Sequence, residues 1–293
     1  MTPTTCDQAL AAARALGLER LDAQLLLLHA LGKPADARAW LLAHDTDVLT
    51  EDAARQFQAL SQRRTAGEPL AYIVGSKEFF GLELQVDSRV LVPRPDTETL
   101  VQWALDLLLA TAITPPLETP VVLEVLDVLD LGTGSGGVAL AIAHSLQAAS
   151  RPARLLAVDA STDALAVARA NAERLGLKNV QFLESNWLQQ VKGRFALIAS
   201  NPPYIASADP HLAALTHEPL QALTAGADGL DDIRQIIAQA PAHLQPGGWL
   251  LLEHGYDQAR RVRELLASQG FEQVQSRQDL ADIERCSGGQ WPA

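Results

Sequence analysis

Cysteine is nearly absent. Two residues, Cys6 and Cys286, stand among 293, too few for a disulfide scaffold or a Cys-rich zinc site. Basic residues are also scarce. Lys plus Arg is 23 against 35 Asp plus Glu, a formal net charge of −12. That balance argues against sequence-indifferent binding to a phosphate backbone, which needs dense Lys and Arg, so no direct nucleic-acid binding is expected. Long apolar runs are missing too. The purest, such as Leu25–Leu28 and Val121–Leu123, fall far short of the ~20 residues that span a bilayer. The opening residues are polar and Arg14, Glu19, Arg20 and Asp22 follow, so no secretory leader is read there and a cytoplasmic protein is expected. Aromatics make up 5%, from which nothing functional is drawn, whereas 48% of residues are hydrophobic. A folded chain of one large domain, or one with a smaller partner, is expected.

Residues 1–74 read as a helical domain, open between a small stabilising bundle and a docking surface for a macromolecular substrate. Apolar positions in Asp7–Leu16 recur at helical spacing. Leu21, Leu25, Leu28 and Leu31 share one face of a second helix, which Gly32 ends. Thr50 is a candidate N-cap for Glu51–Thr65. Residues 75–92 read as a hairpin linker. Its two short strands are assigned to Ile73-Val74-Gly75 and to Glu78 through Val86. Two prolines, Pro93 and Pro95, then stiffen the approach to a helix over Glu98–Ala110, with Thr97 or Asp96 as its cap. Pro115, Pro116 and Pro120 mark a loop.

The rest of the sequence, to residue 293, alternates strand and helix. Strands are expected at Val125–Leu131, Arg154–Val158, Val180–Glu184, Phe195–Ser200, Trp249–Glu253 and Phe271–Gln275, with amphipathic helices between them. Near-continuous apolar strands of this kind form an α/β fold, a doubly wound, mostly parallel sheet covered on both faces. Ligands on such sheets bind at the carboxyl ends of the strands, which directs attention to four loops.

The first contains Gly132-Thr133-Gly134-Ser135-Gly136-Gly137. Its glycines allow a tight turn and close approach of a ligand to the backbone, and they also satisfy the weak dinucleotide fingerprint, so NAD competes at this point. The second presents Asp159, an acid spaced to accept two ribose hydroxyls; its alternative role is to cap the next helix, which Ser161 or Thr162 could do instead. In the third, Asn186 could hydrogen-bond an adenine edge and Trp187 pack on its face, or the Trp could simply fill space. The fourth is Asn201-Pro202-Pro203-Tyr204. Adjacent prolines fix the backbone and remove two amide donors, leaving the Pro202 carbonyl and the Asn201 side-chain oxygen as acceptors beside the Tyr204 ring. Two such acceptors suit a planar NH2 group, and aiming its weakly nucleophilic lone pair at an electrophilic carbon is catalysis by orientation.

Together these loops resemble the amino-group methyltransferases that use S-adenosylmethionine. The N-terminal helices, Glu68-Pro69-Leu70-Ala71-Tyr72-Ile73-Val74-Gly75, Pro93-Arg94-Pro95-Asp96-Thr97-Glu98, and Glu218-Pro219-Leu220-Gln221-Ala222-Leu223 through Gly229-Leu230 narrow the resemblance to the peptide-chain-release-factor glutamine methyltransferases, the HemK/PrmC family. The resemblance implies a seven-stranded, Rossmann-like class I methyltransferase sheet with a substrate-docking helical domain. It implies that Gly132, Thr133, Gly134, Ser135, Gly136, Asp159, Asn186, Trp187 and Asn201 hold S-adenosyl-L-methionine, and that Asn201, Pro202, Pro203 and Tyr204 grip the glutamine amide of a release factor's Gly-Gly-Gln tripeptide, with Asn201, Pro202 and Tyr204 carrying catalysis. Many relatives carry Asp where this chain has Asn186, from which a weaker adenine contact is expected. No metal is expected; His144, His211, His217 and His254 lack ligand spacing and read as structural or surface residues. Arg94, Glu98 and Glu253 are left between supporting and structural roles. Gly288-Gly289-Gln290 repeats the substrate tripeptide and reads as coincidence. The competing readings are a ribosomal-protein glutamine methyltransferase, a nucleic-acid adenine amino methyltransferase, and a non-catalytic nucleotide-binding docking module.

Overall fold

The computed structural model describes residues 4–110 and 124–293; the proline loop expected around Pro115, Pro116 and Pro120 and the apolar run Val121–Leu123 lie outside them. The chain divides into two compact units, Met1–Ser76 and Lys77–Ala293.

The first unit is helical: α1 (Cys6–Ala15), α2 (Arg20–Ala30), α3 (Arg38–Ala43), α4 (Glu51–Thr65) and α5 (Leu70–Val74). Thr50 caps α4 as its sequence suggests, accepting from the Ala53 amide at 3.2 Å. Leu26, Leu27, Leu28, Leu41, Phe57 and Ile73 form the core. Ile73 and Val74 belong to α5, not to a strand. Pro69 opens that helix and Gly75, at φ +79, closes it in the left-handed region.

The hairpin therefore starts later than its sequence suggests, with β1 (Ser76–Phe79) and β2 (Leu82–Gln85). Phe80 and Gly81 form its turn, at φ 49° and 76°, the pair of positive values that a two-residue hairpin loop demands. Phe79, Leu82 and Leu84 are buried in the core of the second unit. There follow α6 (Glu98–Ala110), β3 (Leu126–Leu131), α7 (Gly137–Ala148), β4 (Ala153–Asp159), α8 (Thr162–Leu175), β5 (Val180–Glu184), β6 (Phe195–Ser200), α9 (Asp231–Gln239), β7 (Leu244–Glu253), α10 (Ala259–Gln269), β8 (Glu272–Gln278) and β9 (Glu284–Gln290).

Seven strands form one sheet in the order β5-β4-β3-β6-β7-β9-β8, parallel except for β9. Alternate residues feed two cores. Val128, Leu197, Ala199 and Leu251 face the side covered by α6 and α7; Leu129, Leu131, Ile198, Leu250 and Leu252 face the side covered by α9 and α10. The fold class is the one the strand pattern predicts. Several strand limits shift by one to three residues, β7 begins five residues early, and one strand is additional. The stretch Pro246-Gly247-Gly248 lies inside β7 rather than before it, tied by the Gly247 amide bonding to Trp291 O at 3.0 Å. And β9 has no apolar run to announce it, because Gly288 and Gly289 occupy places with no room for a side chain. A Cβ on Gly288 would lie 2.5 Å from Leu251 Cδ2 and 2.7 Å from Leu250 O.

The order reverses between β3 and β6, whose carboxyl ends lie side by side: Leu131 pairs with Ser200, and the Ser200 hydroxyl donates to Leu131 O at 2.7 Å. A crevice at this switch point is where an open parallel sheet binds ligands.

Candidate active site

A cavity of about 500 Å³ opens at those strand ends, in the usual size range for a small-molecule site. Of the residues singled out from the sequence, Gly132, Gly134, Asp159, Asn186, Trp187, Asn201 and Pro203 line it. Thr133, Ser135, Gly136, Pro202 and Tyr204 are not among its lining residues.

The glycine loop is shaped from beneath by a residue that sequence reasoning passed over. Asp130, buried at the end of β3, accepts from the Thr133 hydroxyl at 2.6 Å and the Ala139 amide at 3.1 Å. It thus turns Thr133 inward and binds an otherwise orphaned amide in the first turn of α7. Burial raises its carboxyl to about 7 against these hydrogen bonds. Gly136, at φ +89, is the residue before α7, and a Cβ there would lie 2.8 Å from Leu140 Cδ1. The Ser135 carbonyl accepts from Asn171 Nδ2 at 2.9 Å, and the same Asn171 amide pairs with both the N–H and C=O of Gln85 in β2. Asn171, fully buried in α8, therefore ties the hairpin to the glycine loop. Only its polar identity on an otherwise apolar helix face hints at this in the sequence.

Asp159 ends β4 with both oxygens in use: Oδ2 accepts from the Gly134 amide and Oδ1 from the Ser161 amide, each at 2.9 Å. Burial nonetheless raises its pKa. Ser161 caps α8, its hydroxyl accepting from Ala164 at 3.1 Å, so Asp159 is not needed as the cap. Trp187 takes a left-handed backbone, φ 49°. Its indole N–H is committed to Asp232 at 2.9 Å, and its ring lies over Gly132, where a Cβ would meet the ring at 3.3 Å. The ring is thus fixed as a wall, with no N–H left for a ligand. Asn186 beside it is exposed.

The Asn201–Tyr204 turn is held on several sides. Gln258 donates to Tyr204 O at 2.9 Å while accepting from Gly255 at 2.8 Å. The Ile205 amide bonds to Leu223 O at 2.9 Å. Gly229 passes so close that a Cβ would lie 2.1 Å from Tyr204 O. Asn201 Nδ2 donates to the Thr97 hydroxyl at 3.1 Å. Thr97, which ends a short 3-10 turn, Pro95–Thr97, just before α6, is therefore drawn to the site; no sequence signal connects residues 104 positions apart.

The supporting residues divide clearly. Arg94 bonds to Glu218, which also accepts from the Val92 amide at 3.0 Å, pinning the segment that contributes Pro219, Gln221 and Ala222 to the cavity wall. Glu98 accepts from the Phe80 amide at 3.1 Å and braces the hairpin turn. His254 is buried and spent on Ser287 and the Gly255 carbonyl. Among the described residues no helix is long and apolar enough to cross a membrane.

An adenosyl group fits this lining. Asp159 retains acceptor capacity beyond its two backbone bonds, Trp187 offers a flat face, and Gly132 and Gly134 keep the backbone uncovered.

Comparison with known proteins places the chain in a family. Residues 5–75 match the PrmC N-terminal domain and residues 117–226 the methyltransferase small domain. The Pseudomonas aeruginosa release factor glutamine methyltransferase is 47% identical over 93% of this chain and 92% of its own. That of Xylella fastidiosa strain Temecula1 is 46% identical over 97% and 98%, and that of Yersinia pestis 45% over 92% and 91%. Among solved structures, the hMettl16 catalytic domain in complex with an RNA hairpin shares the fold at a TM-score of 0.56 and 15% identity, covering 85% of this chain and 86% of that one. A T. thermophilus 16S rRNA methyltransferase in complex with AdoMet and guanosine does so at 0.50 and 21%, covering 74% and 49%. With near end-to-end identity approaching one residue in two to these relatives, the chain belongs to the release factor glutamine methyltransferase family.

Proposed function

We infer that this protein transfers the methyl group of S-adenosyl-L-methionine to the side-chain amide nitrogen of the glutamine in the Gly-Gly-Gln tripeptide of peptide chain release factors, leaving S-adenosyl-L-homocysteine. The observation that carries the reading is the orientation of Asn201. With its NH2 turned toward the Thr97 hydroxyl, its Oδ1 is left to accept at the cavity wall, which Asn201 shares with Asp159 and the glycine loop.

In this reading Asp159 takes the ribose hydroxyls, and Gly132, Gly134, Asn186 and Trp187 enclose the adenosyl group. Thr133, Ser135 and Gly136 act by shaping the loop. Bound S-adenosylmethionine supplies a methyl carbon activated by its sulfonium. Asn201 Oδ1 and the Pro202 carbonyl accept the two N–H groups of the glutamine amide, Pro203 and Tyr204 keep it flat, and the nitrogen lone pair is aimed by position. Such orientation is worth up to ~7–11 kcal/mol of barrier where the geometry is right. The alkylated nitrogen is acidic and loses its proton to water or a nearby carbonyl, so no dedicated base is required. The helical unit docks the protein substrate, and the reaction is cytoplasmic, where release factors work.

The test is incubation with methyl-labelled S-adenosylmethionine and, in parallel, release factor, ribosomal protein and DNA, followed by mass mapping. Label on the tripeptide glutamine is the expected result. Label confined to ribosomal protein or DNA refutes the reading.

A further inference from the structure

Glu253 is a buried acid without a structural purpose. It closes β7 with no exposed surface, and neither carboxylate oxygen makes a well-formed hydrogen bond. Arg285, a cation whose charge acts on it, is engaged by Asp279 at 3.0 Å and Asp96 at 3.4 Å. Leaving a carboxylate desolvated and unpaired is costly, and the cost calls for a role.

Its position supplies one. Ser200 pairs with Leu252 across β6 and β7, so Asn201 and Glu253 are the next residues along two adjacent parallel strands. Both point to the face covered by α6, two positions beyond Ala199 and Leu251 respectively. Thr97, immediately before α6, lies between them. Its hydroxyl accepts from Asn201, and the Glu253 carboxylate faces that hydroxyl and the Tyr204 phenol. A hydroxyl has one hydrogen to give and can pair with either end of an asparagine amide. An ionised carboxylate can only accept. Placed behind Thr97 and ionised above about pH 7, it draws the hydroxyl hydrogen toward itself, so Thr97 accepts from Asn201, which turns the asparagine NH2 inward and its oxygen toward the cavity.

We propose that Glu253 is a positioning residue for the methyl-accepting amide: acting through Thr97, it fixes which end of the Asn201 side chain meets the glutamine NH2. The proposal rests on the function inferred above and adds the device that sets the polarity of that site. A glutamine at 253 could donate to Thr97, reverse the hydroxyl, and allow Asn201 to present NH2 against NH2.

The test compares Glu253→Gln, Glu253→Asp, Thr97→Val, Thr97→Ser and the double variant E253Q/T97V in the full-length protein. E253Q and T97V are expected to lower kcat by about tenfold to a hundredfold, the scale of a misaimed reacting group, with KM for S-adenosylmethionine within about twofold. The double variant is expected to be no slower than the slower single one, and E253D and T97S to recover most of the loss. A readout independent of turnover is the 15N–1H side-chain signal of Asn201, assigned by its absence in N201A. Its exchange with deuterated solvent is expected to be slow in the wild type and fast in E253Q and T97V. Unchanged kcat and unchanged exchange in E253Q, or fully additive losses in the double variant, overturn the proposal. If the wild type methylates no release factor while E253Q still releases the Asn201 amide, the inferred function fails and the positioning relay stands.

Discussion

Replacing Asp159 with asparagine is isosteric, yet the structure makes it damaging in two separate ways. Both carboxylate oxygens accept from backbone amides, Oδ2 from Gly134 and Oδ1 from Ser161. An asparagine has one oxygen, so whichever way it turns, its NH2 confronts an amide donor. The donor left unpaired costs about 1–3 kcal/mol, or roughly 2–4 °C of melting temperature per kcal/mol for a domain of this size. The second loss falls on the ligand. Hydrogen bonds from two ribose hydroxyls to a charged acceptor weaken together, by about 2–4 kcal/mol, which is roughly thirty- to a thousandfold in Kd. Calorimetry with S-adenosylhomocysteine reads the second term and thermal melting of the free protein reads the first. An Asp159→Asn protein that binds within about threefold of wild type and melts at the same temperature would show that this carboxylate neither holds the loop nor contacts the ribose, and the site assignment would fall.

Asn201→Ala is expected to abolish methyl transfer while S-adenosylhomocysteine affinity, read by calorimetry, falls only modestly; retained turnover contradicts the paired-acceptor account. Asp130 and Glu253 are both raised by burial to about 7, from ordinary values of 3.8 and 4.5. The folded state therefore holds protons that the unfolded chain has released, and stability falls as pH rises from the ordinary carboxylate range through 7. Urea unfolding is expected to give a smaller loss between about pH 5 and pH 8 in Asp130→Asn and Glu253→Gln than in the wild type; identical pH dependence refutes it. Asp130→Asn is expected to fold, because the single oxygen Oδ2 accepts both of its bonds and an amide oxygen can replace it. Gly288→Ala, whose Cβ meets Leu250 O at 2.7 Å, is expected to destabilise the second unit by about 2–4 kcal/mol, since a backbone oxygen cannot yield as a side chain does; wild-type urea stability counts against this packing.

The sequence announces what is local. Thr50 declares a cap because the amide it binds is three residues away, and β5 and β6 stand out because their runs are apolar and bounded. The glycine loop, Asp159 and the Asn201 turn were legible as motifs, and the sheet order brings Gly132, Asp159, Trp187 and Asn201 to one cavity. What stayed hidden depends on distant partners. Thr97 reads as a helix cap until Asn201 arrives from another strand; Asp130 is one acid in an apolar strand until Thr133 folds back on it; Asn171 is one polar residue in a helix until β2 reaches it. The hairpin was misplaced because Ile73-Val74 has strand-like residues, whereas Pro69 and Gly75 impose a helical turn. Strand β9 escaped notice because its glycines answer to steric crowding, not to hydrophobic pattern.

That crowded strand bears on a hazard peculiar to an enzyme of this family. Gly288-Gly289-Gln290 reproduces the tripeptide proposed as its target. Gln290, however, is the last residue of β9, its NH2 donates to the Gly247 carbonyl at 2.8 Å, and its oxygen accepts from Gln273. The two glycines that make the triplet look like bait are the ones that wedge it between β7 and Phe271. Self-modification would require peeling an inner strand out of the sheet, so immunity from its own chemistry comes with the fold and needs no separate safeguard.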